Sequence, residues 1–302
     1  MRSEFDVKGK TQPDPFVFED GGKFYMYVTA TEGVEAYSAD EPFGLWHYEG
    51  IVTDMPEGKS FWAPSVIRYE GRYYMYVSCE SFGNYQNMHV LSSDSPLGPY
   101  RSPKRLYPEF SIDSHAVETE SGLFLLLAMN KRCGKRHGTR VFVDRLLDPY
   151  TPEGKPKEII PPTLDEEQFT PQCTEDYKWH TVEGPFWFYE GGYHYVMYSG
   201  GCYQDDTYHV GVAVAKTEEQ DLTKINFKKA YNGEKFAPVL IKNDQEGGTG
   251  HNSVIKHRGK YYAFYHGRDL SCAEGYDEDY VEQRTARYCE LEVGDGKISA
   301  KR

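Results

Sequence analysis

Nothing in this chain is both long and apolar. Its most apolar run, Leu123 to Met129, is seven residues, against the roughly 20 that a helix needs to cross a bilayer. A helical membrane span is therefore excluded, and a soluble protein with no membrane partner is expected. The opening residues, Met1-Arg2-Ser3-Glu4-Phe5-Asp6-Val7-Lys8, hold neither the apolar segment nor the small-residue cleavage site of a secretory signal, so the expected compartment is the cytoplasm. Cysteine is sparse and scattered. Cys79, Cys133, Cys173, Cys202, Cys272 and Cys289 form no CxxC pair, which disfavours a zinc cluster and predicts reduced thiols in that compartment. Positive charge is also short. Lysine and arginine number 34 against 47 aspartates and glutamates, and the net charge of −13 would repel a phosphate backbone, so nucleic acid is not an expected partner. Helical periodicity is nearly absent and no proline-, glycine- or serine-rich linker divides the 302 residues. One domain over residues 1–302 is expected, because repeated β architectures reach this length as a unit.

What the chain has instead is aromatic residues and repetition. With 26 tyrosines and 4 tryptophans, much of the buried apolar area must come from rings that keep a polar tip. One pattern occurs five times: an apolar stretch, a short polar turn closed by glycine, then a run of aromatic and aliphatic residues. The copies open at Asp14, Ala63, Asp113, Glu183 and His251, and their turn glycines are Gly22, Gly71, Gly122, Gly192 and Gly259. Two β-prone runs joined by a few residues ending in glycine predict a hairpin, since glycine accepts the positive φ of a tight turn. Further strand-like runs, such as His89 to Ser92, Arg140 to Asp144 and His209 to Ala215, fit outer strands of the same units. The glycines lie 49, 51, 70 and 67 residues apart, which suits four-stranded blades with long insertions around 145–180 and 217–247, read as loops on one rim. The predicted fold is all-β, a five-bladed β-propeller; a β-sandwich is the competing reading.

In a propeller the innermost strands all start at one central funnel, so equivalent positions of different repeats converge. Asp14, Asp113 and Glu183 would then share the funnel with His251. Like charges disfavour one another's ionisation, and such a cluster is costly unless chemistry needs it. Cleaving a glycosidic bond with inversion needs one protonated acid for the leaving oxygen and one carboxylate to activate water. A third carboxylate beside the acid would raise its pKa and keep it protonated. Taken singly, Asp14 can be a turn-forming Asp-Pro and Glu183 a strand-edge glutamate.

The openings Asp14-Pro15, Trp62-Ala63-Pro64, Ile112-Asp113, Val182-Glu183-Gly184-Pro185 and Gly250-His251-Asn252, in this order over nearly the whole chain, resemble glycoside hydrolase family 43. The resemblance implies Asp14 as general base, Glu183 as general acid and Asp113 as the residue that tunes the acid's pKa. It implies a place for His251 near the axis, beside a structural calcium or other cation; the plainer reading is a hydrogen-bonded histidine without metal, because one imidazole is a poor ligand set for a hard cation. No cofactor is required for the chemistry, and no ligand set for catalytic zinc is present. Arg284, in Arg284-Thr285-Ala286-Arg287-Tyr288, resembles the family's arginine that reaches sugar and acids, with Arg287 as competitor on the opposite strand face. Trp62 is placed to offer its ring to a pentose, or else fills core. The implied substrates are arabinose- or xylose-containing oligosaccharides, with exo-acting α-L-arabinofuranosidase the first choice and β-D-xylosidase or dual activity the alternative. A non-catalytic glycan-binding propeller is the reading of another class.

Overall fold

The computed structural model describes residues 1–81, 83–169, 173–174, 177–270 and 281–302. Five sheets follow one another along the chain, each with its strands in sequence order from the inside outward. The inner strands are Phe16–Asp20, Lys59–Tyr69, Ser111–Thr119, Val182–Glu190 and Glu246–His257, for blades one to five. Each touches the inner strand of the next blade, and blade five touches blade one, so the sheets form a closed ring. This is the predicted five-bladed propeller, and the described residues contain no α-helix.

The ring is held by strands buried on both faces. In the second strand of blade one, Lys23–Val28, Phe24, Met26 and Val28 pack toward blade five while Tyr25 and Tyr27 pack toward blade two. The same alternation sends Leu123, Leu125 and Leu127 toward blade two and Phe124 and Leu126 toward blade four. Successive side chains of a strand point to opposite faces, so a strand between two neighbours must be apolar at nearly every position. That requirement explains the run from Leu123 to Met129. Each of the five gaps between blades holds one apolar cluster. Buried tyrosine tips find partners, as in Tyr27 Oη to the carbonyl of Pro96 at 2.7 Å and Tyr76 Oη to that of Pro149 at 2.8 Å.

Four inner hairpins close through two residues that both have positive φ: Gly21-Gly22, Glu70-Gly71, Gly191-Gly192 and Arg258-Gly259, a turn whose twist matches that of paired strands. Blade three differs. Its loop is Glu120-Ser121, and Gly122, with φ of 116°, already pairs with Thr119. The ring is closed by the first residues: Ser3 donates to the carbonyl of Ala286 in blade five at 3.0 Å, and Glu4–Phe5 then pairs in parallel with the outer strand Leu45–Ile51 of blade one.

The two insertions do not share a rim as expected. Phe169, Tyr177 and Trp179 from the first reach the central cleft, but residues 217–247 line none of it. Their Leu222, Ile225 and Phe227 pack in the core between blades three and four, and Lys228–Lys229 forms blade four's outer strand. These apolar side chains gain more by burial than by exposure at a rim. The five described cysteines are unpaired thiols; Cys272 lies outside the described residues.

Beneath the funnel, Phe16, His115 and Phe186 meet. The His115 and Phe186 rings stack at 4.0 Å and Phe16 lies 6.0 and 6.2 Å from them. Blade one borders neither blade three nor blade four, so these rings meet across the axis. His115 Nδ1 accepts the N–H of Trp187 at 2.9 Å, and burial pushes its pKa down to about 3, which keeps the ring neutral.

Blades one and five are also joined by Ser253, whose Oγ accepts the N–H of Val17 at 3.0 Å and donates to the carbonyl of Pro15 at 2.9 Å. Ser253→Ala strands both buried backbone groups, and the expected loss is about 1–3 kcal/mol, read from the denaturant midpoint at constant slope. A midpoint equal to wild type would mean that this seam does not depend on the serine.

Candidate active site

At the mouth of the funnel the backbone turns left-handed at an equivalent position in each blade. Asp14, Ala63, Asp113, Gly184 and His251 have φ of 54°, 46°, 58°, 57° and 48°. An L-residue resists this conformation by roughly 1–2 kcal/mol, so something must offset it. The kink turns the backbone N–H out of its own hairpin, and at four of the five positions a neighbouring blade takes it. Asp14 N–H bonds to His266 Nδ1 at 3.1 Å, Ala63 N–H to Thr29 Oγ1 at 2.8 Å, Gly184 N–H to Asp113 Oδ2 at 3.0 Å and His251 N–H to Ser199 Oγ at 2.7 Å.

This register corrects one expectation. Glu183 does not occupy the position of Asp14 and Asp113; Gly184 does. Glu183 pairs across its hairpin with Ser199, as Trp62 pairs with Ser78 and Ile112 with Ala128, so it stands one residue earlier. The reason is steric. A Cβ on Gly184 would crowd the His251 ring at 3.2 Å, so a bare residue at the kinked position leaves His251 its place, and the carboxyl comes from the residue before it.

All six residues singled out in the sequence, Asp14, Trp62, Asp113, Glu183, His251 and Arg284, line one cleft of about 1280 Å³. Asp14 is surrounded by donors. Thr29 Oγ1 donates to its Oδ2 at 2.6 Å and Arg284 Nη1 to its Oδ1 at 3.1 Å, with His251 Nδ1 3.5 Å away. Burial alone would raise its pKa, but Arg284, His251 and His266 outweigh burial and hold the carboxyl well below the usual range. Glu183 is the opposite case. Burial, with the charge of Asp14 added, pushes it up to about 7 although Tyr208 and Arg284 pull the other way. Asp113 is also pushed up to about 7, chiefly by burial, with His251 opposing and Glu183 and Asp14 adding. The expected cause of a raised acid, Asp113 beside it, is not among the influences on Glu183: desolvation raises the acid, and the carboxylate that adds to it is that of Asp14.

Arg284 and Arg287 separate as strand alternation requires. Arg284 faces the cleft, forks onto the Glu282 carboxylate at 2.7–3.1 Å and lies over the Tyr203 ring at 4.7 Å. Arg287 is buried behind the blade against Asp269 at 2.6 Å and Glu246 at 3.3 Å. Trp62 is half-buried in the cleft wall with its edge to Tyr85. His251 Nδ1 faces Asp14 and, at 3.7 Å, Asp113. The expected cation beside it finds no ligand cage: among the described residues no group of three His, Cys, Asp or Glu side chains is arranged to hold a metal.

Sequence reading missed Thr29, Tyr208, His266 and Glu282. For two of them a signal was there. Thr29, Ser78, Ser199 and His266 each stand seven residues after the turn glycine, and three of the four bind the next blade's outturned N–H. Tyr208 and Glu282 lie off the repeat.

A five-bladed propeller that gathers three carboxyl groups around one cleft, one held well below the usual carboxylate range and two pushed up to about 7, has the architecture of a glycoside hydrolase. The family model described as glycosyl hydrolases family 43 matches residues 7–297, and the chain belongs to that family. It is 25% identical to an extracellular exo-α-(1→5)-L-arabinofuranosidase of Streptomyces avermitilis over 87% of this chain and 56% of that protein, so it spans little more than half of that relative's length. It is 25% identical to xylosidase/arabinosidase 43A of Humicola insolens over 73% of this chain and 70% of that one. The solved structure of a thermostable family-43 glycoside hydrolase superposes with a TM-score of 0.83 at 26% identity, covering 98% of this chain and 95% of that chain.

Because Arg284 is the largest influence opposing burial at Asp14, Arg284→Met should move the Asp14 carboxyl titration to higher pH. Carbon-13 NMR of labelled aspartate reads this directly, and an unmoved titration would remove Arg284 from the account.

Proposed function

We propose that the chain is an inverting, exo-acting glycosidase that releases terminal pentose from plant cell-wall oligosaccharides, α-L-arabinofuranosides first. Asp14 is the general base, Glu183 the general acid and Asp113 the group that holds and tunes the acid. The observation that carries this reading is the opposed surroundings of two carboxyl groups on one cleft: Asp14 takes hydrogen bonds from Thr29 and Arg284 and is held below the usual range, while burial pushes Glu183 up to about 7. Inversion asks for that pair. Asp14 takes a proton from water as the oxygen attacks the anomeric carbon, and Glu183 gives its proton to the departing glycosidic oxygen. Asp113 accepts the Gly184 N–H and so fixes the backbone next to Glu183. Arg284 steadies Asp14, and Trp62 offers its ring to the sugar.

The substrate class rests on the family and on the shape of the cleft. Trp62, Tyr85 and Phe110 line one part of it and Phe169, Tyr177 and Trp179 another, which suits a terminal sugar between flat apolar rings. The name of the Streptomyces relative favours an arabinofuranoside. The names of the Humicola relative and of a Bacteroides ovatus relative, xylosidase/arabinosidase, favour a second reading, β-D-xylosidase or dual activity. Calcium near His251 enters no step; assays after chelation, with and without added calcium, test for it.

Nitrophenyl α-L-arabinofuranoside and nitrophenyl β-D-xyloside decide between the sugars, and no turnover of either, nor of arabinan or xylan oligosaccharides, would leave only a binding role. Removing a general acid costs about 10²–10⁴-fold, but a leaving group that departs without a proton escapes most of that cost. Glu183→Ala should therefore lose that factor on oligosaccharides and far less on a dinitrophenyl glycoside, while Asp14→Ala loses activity on both. Proton NMR should first show the anomer opposite to the substrate's; initial retention would end the assignment of Asp14 as base.

The pH profile follows from the same two groups. Asp14 is depressed and stays ionised through the weakly acidic range. Glu183 and Asp113, both raised to about 7, titrate as a pair, so the proton needed for the leaving group is lost as pH rises through about 7. kcat/KM should be level below that point and fall above it; a rise from pH 7 to 9 would contradict the assignment.

A further inference from the structure

Tyr208 stands immediately before the third strand of blade four, His209–Lys216, and is fully buried although it lines the cleft. Its hydroxyl donates to Glu183 Oε1 at 2.8 Å. Two further observations show that the ring is clamped there. Gly250 of blade five sits against one side, and a Cβ on it would overlap the Tyr208 ring. His266 lies parallel to the ring at 5.5 Å and 3°, and its Nδ1 accepts the N–H of Asp14. Gly250 pairs with His266 across its hairpin and so stands where blade four has Glu183 and blade two has Trp62. That position carries a functional side chain in two blades, and in blade five it is left bare for a ring from next door.

We infer that Tyr208 is the positioning residue of the acid: by occupying Oε1 of Glu183 it confines the transferable proton to Oε2, the oxygen left to face the leaving group. The inference rests on the reading of Glu183 as general acid and deepens it. A carboxylic acid has one proton and two oxygens, and an O–H donor at one oxygen leaves the proton to the other. Once the proton has gone to the glycosidic oxygen, the same hydrogen bond stabilises the carboxylate left behind. Burial and the surrounding carboxyl charges hold the phenol well above its ordinary pKa, so it remains a donor throughout the working range.

Tyr208→Phe removes the hydroxyl and keeps the ring between Gly250 and His266, so folding should be preserved. On an arabino-oligosaccharide kcat should fall about 10–100-fold with KM little changed, part of what losing a general acid costs, while turnover of a dinitrophenyl arabinofuranoside stays within about threefold. The alkaline limb of the profile should move to higher pH, because the lost hydrogen bond favoured the ionised form. Equal losses on both substrates, or an alkaline limb that does not move, would overturn the inference. Glu183→Ala assayed alongside separates the two levels: if it shows leaving-group dependence and Tyr208→Phe does not, only the role of Tyr208 fails. If Glu183→Ala shows none, the acid assignment fails and the inference falls with it.

Discussion

The site depends on one backbone constraint, the left-handed residue at the head of each inner strand. Without it, a strand running toward the axis would send alternate side chains into the gaps between blades, where the apolar clusters lie. The kink rotates the chain so that Asp14, Asp113 and His251 point into the funnel, and at Asp14, Ala63, Gly184 and His251 the N–H it turns aside is taken by a neighbouring blade. Strain in the backbone is thus offset by a hydrogen bond that also fixes one blade to another. Ring closure and site geometry rest on the same contacts. Asp113 illustrates this, since the oxygen that accepts the Gly184 N–H belongs to one of the cleft's own acids.

Electrostatics then divide three chemically similar groups. All are withdrawn from water, which favours the neutral form of each. What differs is the company. Arg284, Thr29 and His251 face the Asp14 carboxylate, whereas Glu183 is met by the Tyr208 phenol and Asp113 by the Gly184 amide, with His251 at 3.7 Å. The guanidinium is itself held by Glu282 and Tyr203, so its charge stays directed at one carboxylate. A single side chain placed on the blade-five edge therefore distinguishes the three acids more than their own positions in the repeat do.

The architecture was legible because strands buried on both faces must be apolar at nearly every position, which recurs in all five blades, and because tight hairpin turns favour glycine, which holds in four of the five. Asp14, Asp113 and His251 followed from the repeat because side chains at the kink share one destination. Glu183 was legible as a residue but not in its register: its neighbour is glycine, and nothing in a linear pattern says that this glycine is making room for His251. Tyr208 and Glu282 were beyond reach for a different reason. They come from connecting segments, whose course depends on three-dimensional packing and not on period. His266 lay between the cases, since its position recurs as threonine or serine in blades one, two and four, and the shared feature there is hydrogen-bonding capacity, not a residue type.

The rings of Phe16, His115 and Phe186, which meet across the axis, give the funnel a floor, so that it is a cup and not a tube. A polymer cannot be drawn through it from one side to the other, and whatever enters must turn back at the floor. Whatever reaches the carboxyl groups and whatever leaves them, water included, must use the same doorway. Traffic at that doorway, and not passage along the axis, is what the walls of the cleft are in a position to control.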